Sequence, residues 1–312
     1  MPQLLRKRLI LVKLETTYGT DPTPSGSDAV LVRDLNIVPQ QSDVVSRDLV
    51  RPYLGASEQL LANTRVQCTF SVELAGGGTP LGTPPAFGSA LKACAMTETI
   101  VASTSVTYKP NSSSAPSSVT IYYAVDGVLH KVTGARGTWT LNGTVGQIPT
   151  IDFTFTGIYN AVVADASPVT PTYAQQTPVI FKNGSTSGFQ LLSYAAALQT
   201  VSLDLGNTTV YRELVGGTKE VLITDRRTSG SITVEAPSLA SKDYFAAALV
   251  ESLGNLTWQH GTTAGNIVTF SSTKIDIGDV SYADQDGIAM LTMPYTAVPN
   301  DASSGEFTLA FT

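Results

Sequence analysis

Histidine and cysteine, the residues most used for proton transfer, metal ligation and nucleophilic attack, occur only as His130, His260, Cys68 and Cys94. Neither histidine has a Cys, Asp or Glu partner at the spacing of a zinc site or a catalytic triad. Cys68 falls in a strand pattern and Cys94 in a helix pattern, so both read as buried thiols rather than a bridge, in keeping with folding in a reducing cytosol. Asp284 and Asp286 before Gly287 resemble the middle of a calcium loop. Position one would be Tyr282 and the closing acid Met293, however, so the ligand set fails and a hairpin turn is the better reading. Gly76-Gly77-Gly78 and Gly216-Gly217-Thr218-Lys219 lack the Gly-x-x-x-x-Gly-Lys spacing that cradles phosphate; they read as loops. The Asn-x-Ser/Thr triplets, Asn142 and Asn183 among them, follow from the abundance of Ser and Thr. A two-carboxylate hydrolase needs paired acids at a set separation, whereas Glu73 and Glu235 fall at matching places in separate stretches, which is symmetry rather than catalysis. No catalytic, cofactor or metal residue is assigned, and the chain is read as non-enzymatic.

With reactive chemistry so thin, the surface must carry the function. Only 14% of the residues are charged and the net charge is −6, which argues against tight binding of a polyanion. The one basic cluster is Arg6-Lys7-Arg8. It reads either as the solvated end of a terminal strand or as a contact arm meeting an acidic patch on a neighbouring copy, with nucleic acid the weakest option. Lys13 and Glu15 cut the apolar run Leu9-Ile10-Leu11-Val12 short of a secretory signal, and no stretch reaches the ~18 apolar residues of a membrane helix. The expectation is a soluble protein made inside a cell.

The elements that position this surface come twice. Arg47-Asp48-Leu49-Val50 returns as Arg212-Glu213-Leu214-Val215, and Phe70-Ser71-Val72-Glu73 as Ile232-Thr233-Val234-Glu235. Phe87-Gly88-Ser89-Ala90-Leu91 returns as Phe245-Ala246-Ala247-Ala248-Leu249, and Phe153-Thr154-Phe155 as Leu291-Thr292-Met293. A period of roughly 150 residues is a domain's length, beyond the ~20–50 of solenoid repeats. The reading is therefore an arm over 1–27, a first domain over 28–159, a Pro-rich extended linker over 160–195 and a second domain over 196–312. Val66, Cys68, Phe70, Val72 and Leu74 alternate with Gln67, Thr69, Ser71 and Glu73, the period of a half-buried strand. Ile232 and Val234 alternate with Ser231, Thr233 and Glu235 in the same way, Ile151, Phe153 and Phe155 with Asp152, Thr154 and Thr156, and Trp139 and Leu141 with Thr138, Thr140 and Asn142. One helix per copy is predicted, over Ala86–Met96 and over Lys242–Leu253 with Ser241 as N-cap and Phe245, Leu249 and Leu253 on one stripe. Tyr108 to Pro116 reads as a surface loop. A sheet with one face under a helix and the other lined by Ser, Thr, Gln and isolated carboxylates is wettable without being sticky, and its edges are protected if neighbouring copies close it into a ring.

The opening Lys13-Leu14-Glu15-Thr16-Thr17-Tyr18-Gly19-Thr20-Asp21-Pro22, the segment Arg47-Asp48-Leu49-Val50-Arg51-Pro52 with Leu54-Gly55, and the order of sheet and helix after it resemble the major tail tube proteins of long-tailed (siphovirus-type) bacteriophages. The resemblance implies a mainly β fold, here two tandem similar β-sandwich or barrel tail-tube domains each with one flanking α-helix, stacked as rings around a channel for genomic DNA. Two domains per chain would make the ring a homotrimer with pseudo-sixfold symmetry, in a virion tail tube assembled in the host cytoplasm. The implied partners are further copies of the chain, a tape measure protein, and tail terminator and distal tail proteins. The family's polar and acidic bore falls on Gln67, Thr69, Ser71, Glu73, Ser231, Thr233 and Glu235. Contacts between rings or subunits fall on the arm (Arg6, Lys7, Arg8), on the loop from Arg51 to Asn63 (Arg51, Tyr53, Glu58) and on its counterpart from Gly216 to Asp225 (Lys219, Glu220). An adhesive or carbohydrate-binding β-sandwich of a virion or fibre is the alternative; it expects exposed aromatic platforms or calcium loops.

Overall fold

A computed structural model describes residues 3–47, 49–113, 115–164, 169–250, 253–300 and 305–312. The fold is mainly β. The first half of the chain contributes β1 (Arg8–Leu14), β2 (Arg33–Ser46), β3 (Gln59–Glu73), α1 (Gly88–Ala93), β4 (Met96–Val101), β5 (Ser105–Pro110), β6 (Val119–Val125), β7 (Val128–Thr144), β8 (Thr150–Tyr159) and the short β9 (Val163–Ala164). The second half contributes β10 (Thr186–Leu191), β11 (Leu198–Asp204), β12 (Asn207–Glu213), β13 (Lys219–Arg226), β14 (Ser229–Glu235), α2 (Tyr244–Leu249), β15 (Gly254–His260), β16 (Val268–Ile277), β17 (Ser281–Gln285), β18 (Ile288–Ala297) and β19 (Thr308–Phe311).

The halves use one pairing order. In the first, strands neighbour one another as β1-β6-β7-β8-β3-β2, with β9 on β7. In the second the order is β10-β15-β16-β18-β14-β11, with β19 on β16 and β17 on β18. β2 with β3 forms one long hairpin; its counterpart is interrupted near Leu205 and Arg227, giving β11 and β14 at the base and the separate ribbon β12-β13 beyond. The hairpin β4-β5 is extra to the first half. Among the described residues the pairings never close on themselves, so the sheets are open rather than a barrel.

Two joints bind the halves. β7 pairs antiparallel with β11, from Thr144↔Thr200 to Thr140↔Asp204, and β19 pairs with β5 as well as β16. One apolar cluster fills both halves: Phe70, Phe153 and Phe155 stack together in the first, Trp258 on Phe270 in the second. The C-terminal segment inserts between them, with Phe307 against both Trp139 and Phe270, and Phe311 against Phe87 and Tyr108. The alternating strands bury their apolar side, each such side chain stabilising the fold by ~1.5–3 kcal/mol when fully enclosed. Gly76 belongs to this packing. A Cβ there would lie 2.1 Å from the Gly265 carbonyl, and the Gly76 amide donates to Asn266 Oδ1 at 2.7 Å. The triple glycine thus lets the two halves approach.

Several expectations are corrected. The first helix is shorter than 86–96: Ala95 takes a left-handed φ of 59°, and Met96 already begins β4. The second is capped by Asp243, whose Oδ1 accepts from Ala246 N at 2.9 Å, rather than by Ser241. It packs through buried Tyr244, while Leu249 is 85% exposed; residues 251 and 252 at its expected end lie outside the described ones. Tyr108–Pro110 is strand, because Tyr108 is fully buried and its hydroxyl donates to Glu98 Oε2 at 2.6 Å; only 111–116 remains a loop, with Ser114 outside the described residues. Within 160–195, β10 pairs with β15 and Phe181 is buried. The strand pairing also moves one repeat by two residues. Phe70 stands opposite Phe153, and its counterpart Ile232 stands opposite Met293, so Phe153-Thr154-Phe155 corresponds to Met293-Pro294-Tyr295. A slip of two keeps the same face, which is why alternation alone did not expose it.

Candidate functional site

The expected polar strand faces come together. Paired residues on neighbouring strands share a face, and rows of such pairs run unbroken from β3 through β8, β7, β11 and β14 to β18. One row is Ser71-Asp152-Thr140-Asp204-Ser229-Thr296, and the next is Glu73-Thr150-Asn142-Ser202-Ser231-Pro294. A third joins Thr144, Thr200, Thr233, Thr292 and Ser281. Gln67, Thr69, Ser71, Glu73, Ser231 and Thr233 are half-buried and Glu235 is exposed, all on this face. Thr140, Asn142, Asp152, Thr200, Ser202 and Asp204 belong there too and were missing from the candidate set. Their signal was present in the alternation at 138–142 and 151–156; what sequence lacked was the β7-β11 joint that makes the two faces one.

The face is hydroxyl-rich and internally bonded. The Thr233 and Thr292 hydroxyls lie 3.0 Å apart, Asn142 Nδ2 donates to Asp152 Oδ2 at 2.9 Å, and Ser231 N donates to Ser202 Oγ at 3.0 Å. Glu73 has Arg33 at 3.6 Å, so its charge is partly offset, whereas among the described residues no Lys or Arg nitrogen lies within 4.0 Å of the Asp152, Asp204 or Glu235 carboxylates.

The expected contact residues lie elsewhere. Arg51, Tyr53 and Glu58 cluster at the tip of the β2-β3 hairpin, with Arg47 and Arg51 both on Glu58 and Arg51 over the Tyr53 ring at 5.9 Å. Lys219 and Glu220 sit at the β12-β13 tip, paired with Glu213 and Arg212. The Arg47–Glu58 and Arg212–Glu220 pairs occupy matching positions on the two hairpins. Strand extends into both loops, so the connections shrink to 47–58 and 214–218. Lys7 lies 3.7 Å from Asp126, and Arg8 Nη1 donates to the Leu35 carbonyl at 2.7 Å; Arg6–Arg8 lead into β1, which lies on β6.

The opening motif is an anchor. Glu15 accepts from Gly19 N, Ser118 Oγ, Thr120 Oγ1 and Gly134 N at 2.6–2.8 Å. Asp21 accepts from Tyr122, from Lys131 at 3.0 Å and from Thr23 N; partial burial works against its charge, but these bonds hold its carboxyl below the usual range. Tyr18 donates to the Gly134 carbonyl at 3.1 Å and accepts from Val221 N at 2.6 Å, tying the arm to β13.

His260 is buried between Thr186 Oγ1 (3.0 Å) and the Val179 carbonyl (3.1 Å), and burial lowers its pKa, as it does for His130. Cys68 and Cys94 are buried free thiols, Cys68 pushed up to about 12 by burial. Asp286 (φ 54°) and Gly287 (φ 85°) form a two-residue hairpin turn, with Asp284 Oδ1 accepting from Gly287 N at 2.9 Å. Among the described residues no three His, Cys, Asp or Glu side chains are grouped to hold a metal, and no helix is long and apolar enough to cross a membrane.

The fold is that of a mainly β protein carrying an extended hydroxyl-lined sheet face with scattered carboxylates. A family profile described as phage tail tube protein matches residues 6–297. The chain therefore belongs to the phage tail tube protein family, and is a structural component of the virion tail. No curated protein matches its sequence.

Proposed function

We propose that this chain polymerises as homotrimeric rings that stack into the tail tube of a long-tailed, siphovirus-type phage, with the polar face turned to the bore through which genomic DNA leaves. In this reading residues 28–159 and 196–312 are duplicated tube modules, the arm over 1–27 adds β1 to the first, the connection over 160–195 adds β10 to the second, and three chains give pseudo-sixfold symmetry. The observation that carries it is the run of largely polar pairs across β3, β8, β7, β11, β14 and β18, continuous between halves of one pairing order.

The physical argument is one of non-adhesion. Duplex DNA carries about one negative charge per 1.7 Å, and each cation that neutralises a phosphate adds to a sequence-independent affinity. A wall of hydroxyls with Glu73, Asp152, Asp204 and Glu235 hydrates readily and repels phosphate weakly, so DNA neither sticks nor dries the surface. The hairpin tips carrying Arg51, Tyr53, Glu58, Lys219 and Glu220, with the arm at Arg6–Arg8, then serve contacts between rings and subunits. Assembly takes place in the host cytoplasm around a tape measure protein, bounded by tail terminator and distal tail proteins. Negative-stain images of the purified protein test this: hollow rings or tubes of uniform bore are expected, and a monodisperse monomer that binds glycan would establish the adhesive alternative instead. Glu73→Lys with Glu235→Lys is expected to permit assembly and slow DNA exit; ejection at the normal rate would remove those side chains from the bore.

A further inference from the structure

The β7-β11 joint is a template for contact between copies. Each half presents the same two edges: the C-terminal part of β7, beyond its pairing with β6, or β17 at one end, and β2 or β11 at the other. Inside the chain one pair of edges is consumed, β7 against β11. That leaves, among the described residues, β17 paired with β18 alone and β2 paired with β3 alone. Open edges with this much unpaired backbone invite another strand.

We propose that these two free edges join copies of the chain head to tail, in the register that the internal joint already uses. The proposal rests on the tube reading and specifies its subunit contact. Correspondence follows from the shared pairing. Ser202, Leu203 and Asp204 stand opposite Ser231, Gly230 and Ser229, as Asn36, Ile37 and Val38 stand opposite Thr69, Cys68 and Gln67. Asn142, Leu141 and Thr140 stand opposite Thr150, Ile151 and Asp152, as Ala283, Tyr282 and Ser281 stand opposite Met290, Leu291 and Thr292. The internal pairs Ser202↔Asn142, Leu203↔Leu141 and Asp204↔Thr140 therefore become Asn36↔Ala283, Ile37↔Tyr282 and Val38↔Ser281 between copies.

Three observations converge on this register. It sets Asn36 and Ala283 on the polar face and Ile37 and Tyr282 on the apolar one, whereas a slip of one residue would invert both. Exposure is the second. Leu141, covered by the joint, is 1% exposed, while its counterpart Tyr282 is 70% exposed and awaits a cover. The hairpins repeat the contrast: Leu222 and Ile223 are half-buried where β12-β13 lies over the first half, and their counterparts Leu60 and Leu61 are 53% and 58% exposed. Charge is the third, since the register brings Arg33 beside the Asp284–Asp286 turn. The ladder also has a defined end. Leu205 N donates to the Trp139 carbonyl at 3.0 Å in the internal joint, and Pro39 stands at that place on β2 without an N–H, so pairing between copies stops at Val38.

Disulfide trapping tests the register. Internal bonds flank the Ser202↔Asn142 pair, from Val145 N to the Gln199 carbonyl and from Leu205 N to Trp139; alternation makes it a close, non-bonded pair, the better geometry for a disulfide. Asn36→Cys with Ala283→Cys, added to a protein whose own two cysteines are buried, is expected to give an oxidant-dependent ladder ending at trimer on a non-reducing gel. The offset pair Asn36→Cys with Gln285→Cys, on the same face one step away, is expected to lose that ladder, as is either single variant. Rings or tubes in negative stain without the Asn36–Ala283 crosslink, or with equal crosslinking of the offset pair, would overturn the register and leave the tube reading standing. A wild-type protein that stays monomeric, together with an Asn36→Cys, Ala283→Cys variant that does not crosslink, would overturn both.

Discussion

The β12-β13 ribbon and the outer part of the β2-β3 hairpin share antiparallel pairing and an Arg–Glu pair near the tip, yet the first is bedded and the second is free. β12-β13 lies across the first half, where Arg136 donates to the Val221 carbonyl at 2.7 Å, Tyr18 accepts from Val221 N, and Asn207 Nδ2 donates to the carbonyls of Cys94 (2.8 Å) and Gly137 (3.0 Å). The outer part of β2-β3 is held by its own strand pairing and ion pairs, and leaves Val44, Val45, Leu60 and Leu61 exposed. Local structure is therefore set by sequence in each half, while burial is set by what lies next along the sheet. The second half has the first half as its neighbour; the first half lacks one within the chain.

The shared core offers the hardest test of that comparison. Phe153→Ala empties a site enclosed by Phe70 and Phe155 and is expected to cost about 3–5 kcal/mol. Because one apolar cluster runs through both halves, the loss should lower the unfolding midpoint of both together. Trp139 and Trp258 each lie in one half, so single-tryptophan proteins followed by fluorescence report the halves separately; two midpoints moving independently would mean that the halves are energetically separate.

A smaller effect distinguishes the hairpins themselves. Arg136→Ala removes buried charge-assisted bonds to Val221 and Pro116, and is expected to destabilise the monomer by about 2–3 kcal/mol in urea unfolding. Arg47→Ala, at the free tip, should stay within about 0.5 kcal/mol, as exposed pairs do. Equal losses at both sites would erase the contrast between bedded and free.

The smallest effect is a pH dependence. Burial holds the His260 pKa below its ordinary value, so the fold keeps it neutral while the unfolded chain binds a proton below pH ~6.5. Its contribution is complete above that pH and is lost as pH falls through the lower, folded value. Stability measured across this window should decline toward acid, and His260→Gln should flatten the decline more than His130→Gln, because His130 is only half-buried. An unchanged profile in both would show that neither ring is held neutral by the fold.

Much of this was legible in the residues. Period-two alternation at 66–74, 138–142 and 151–156 marked which side of each strand is wet, since a face is set by local pattern. Asp284-Gln285-Asp286-Gly287 announced its turn through the conformational needs of Asp286 and Gly287. Long-range geometry was less accessible. Nothing local tells that Thr140 to Thr144 pair with Thr200 to Asp204, or that Gly76 must be bare because Gly265 lies against it. Tyr108 reads as loop in the sequence because its Ser-rich sequel is polar, although the ring itself is buried and bonded to Glu98. The helix ends failed for a related reason: Ala95 adopts a left-handed turn that its side chain does not advertise, and Asp243 outcompetes Ser241 as a cap by reaching Ala246 N.

A cryo-EM reconstruction of the assembled tube bears most directly on the polar face as the wall of the bore. Rings of three chains are expected, with Ser71, Thr140, Asp152, Asp204, Ser231 and Thr233 facing the lumen. A tube in which those side chains point outward, or are sealed against a neighbouring subunit, would contradict it.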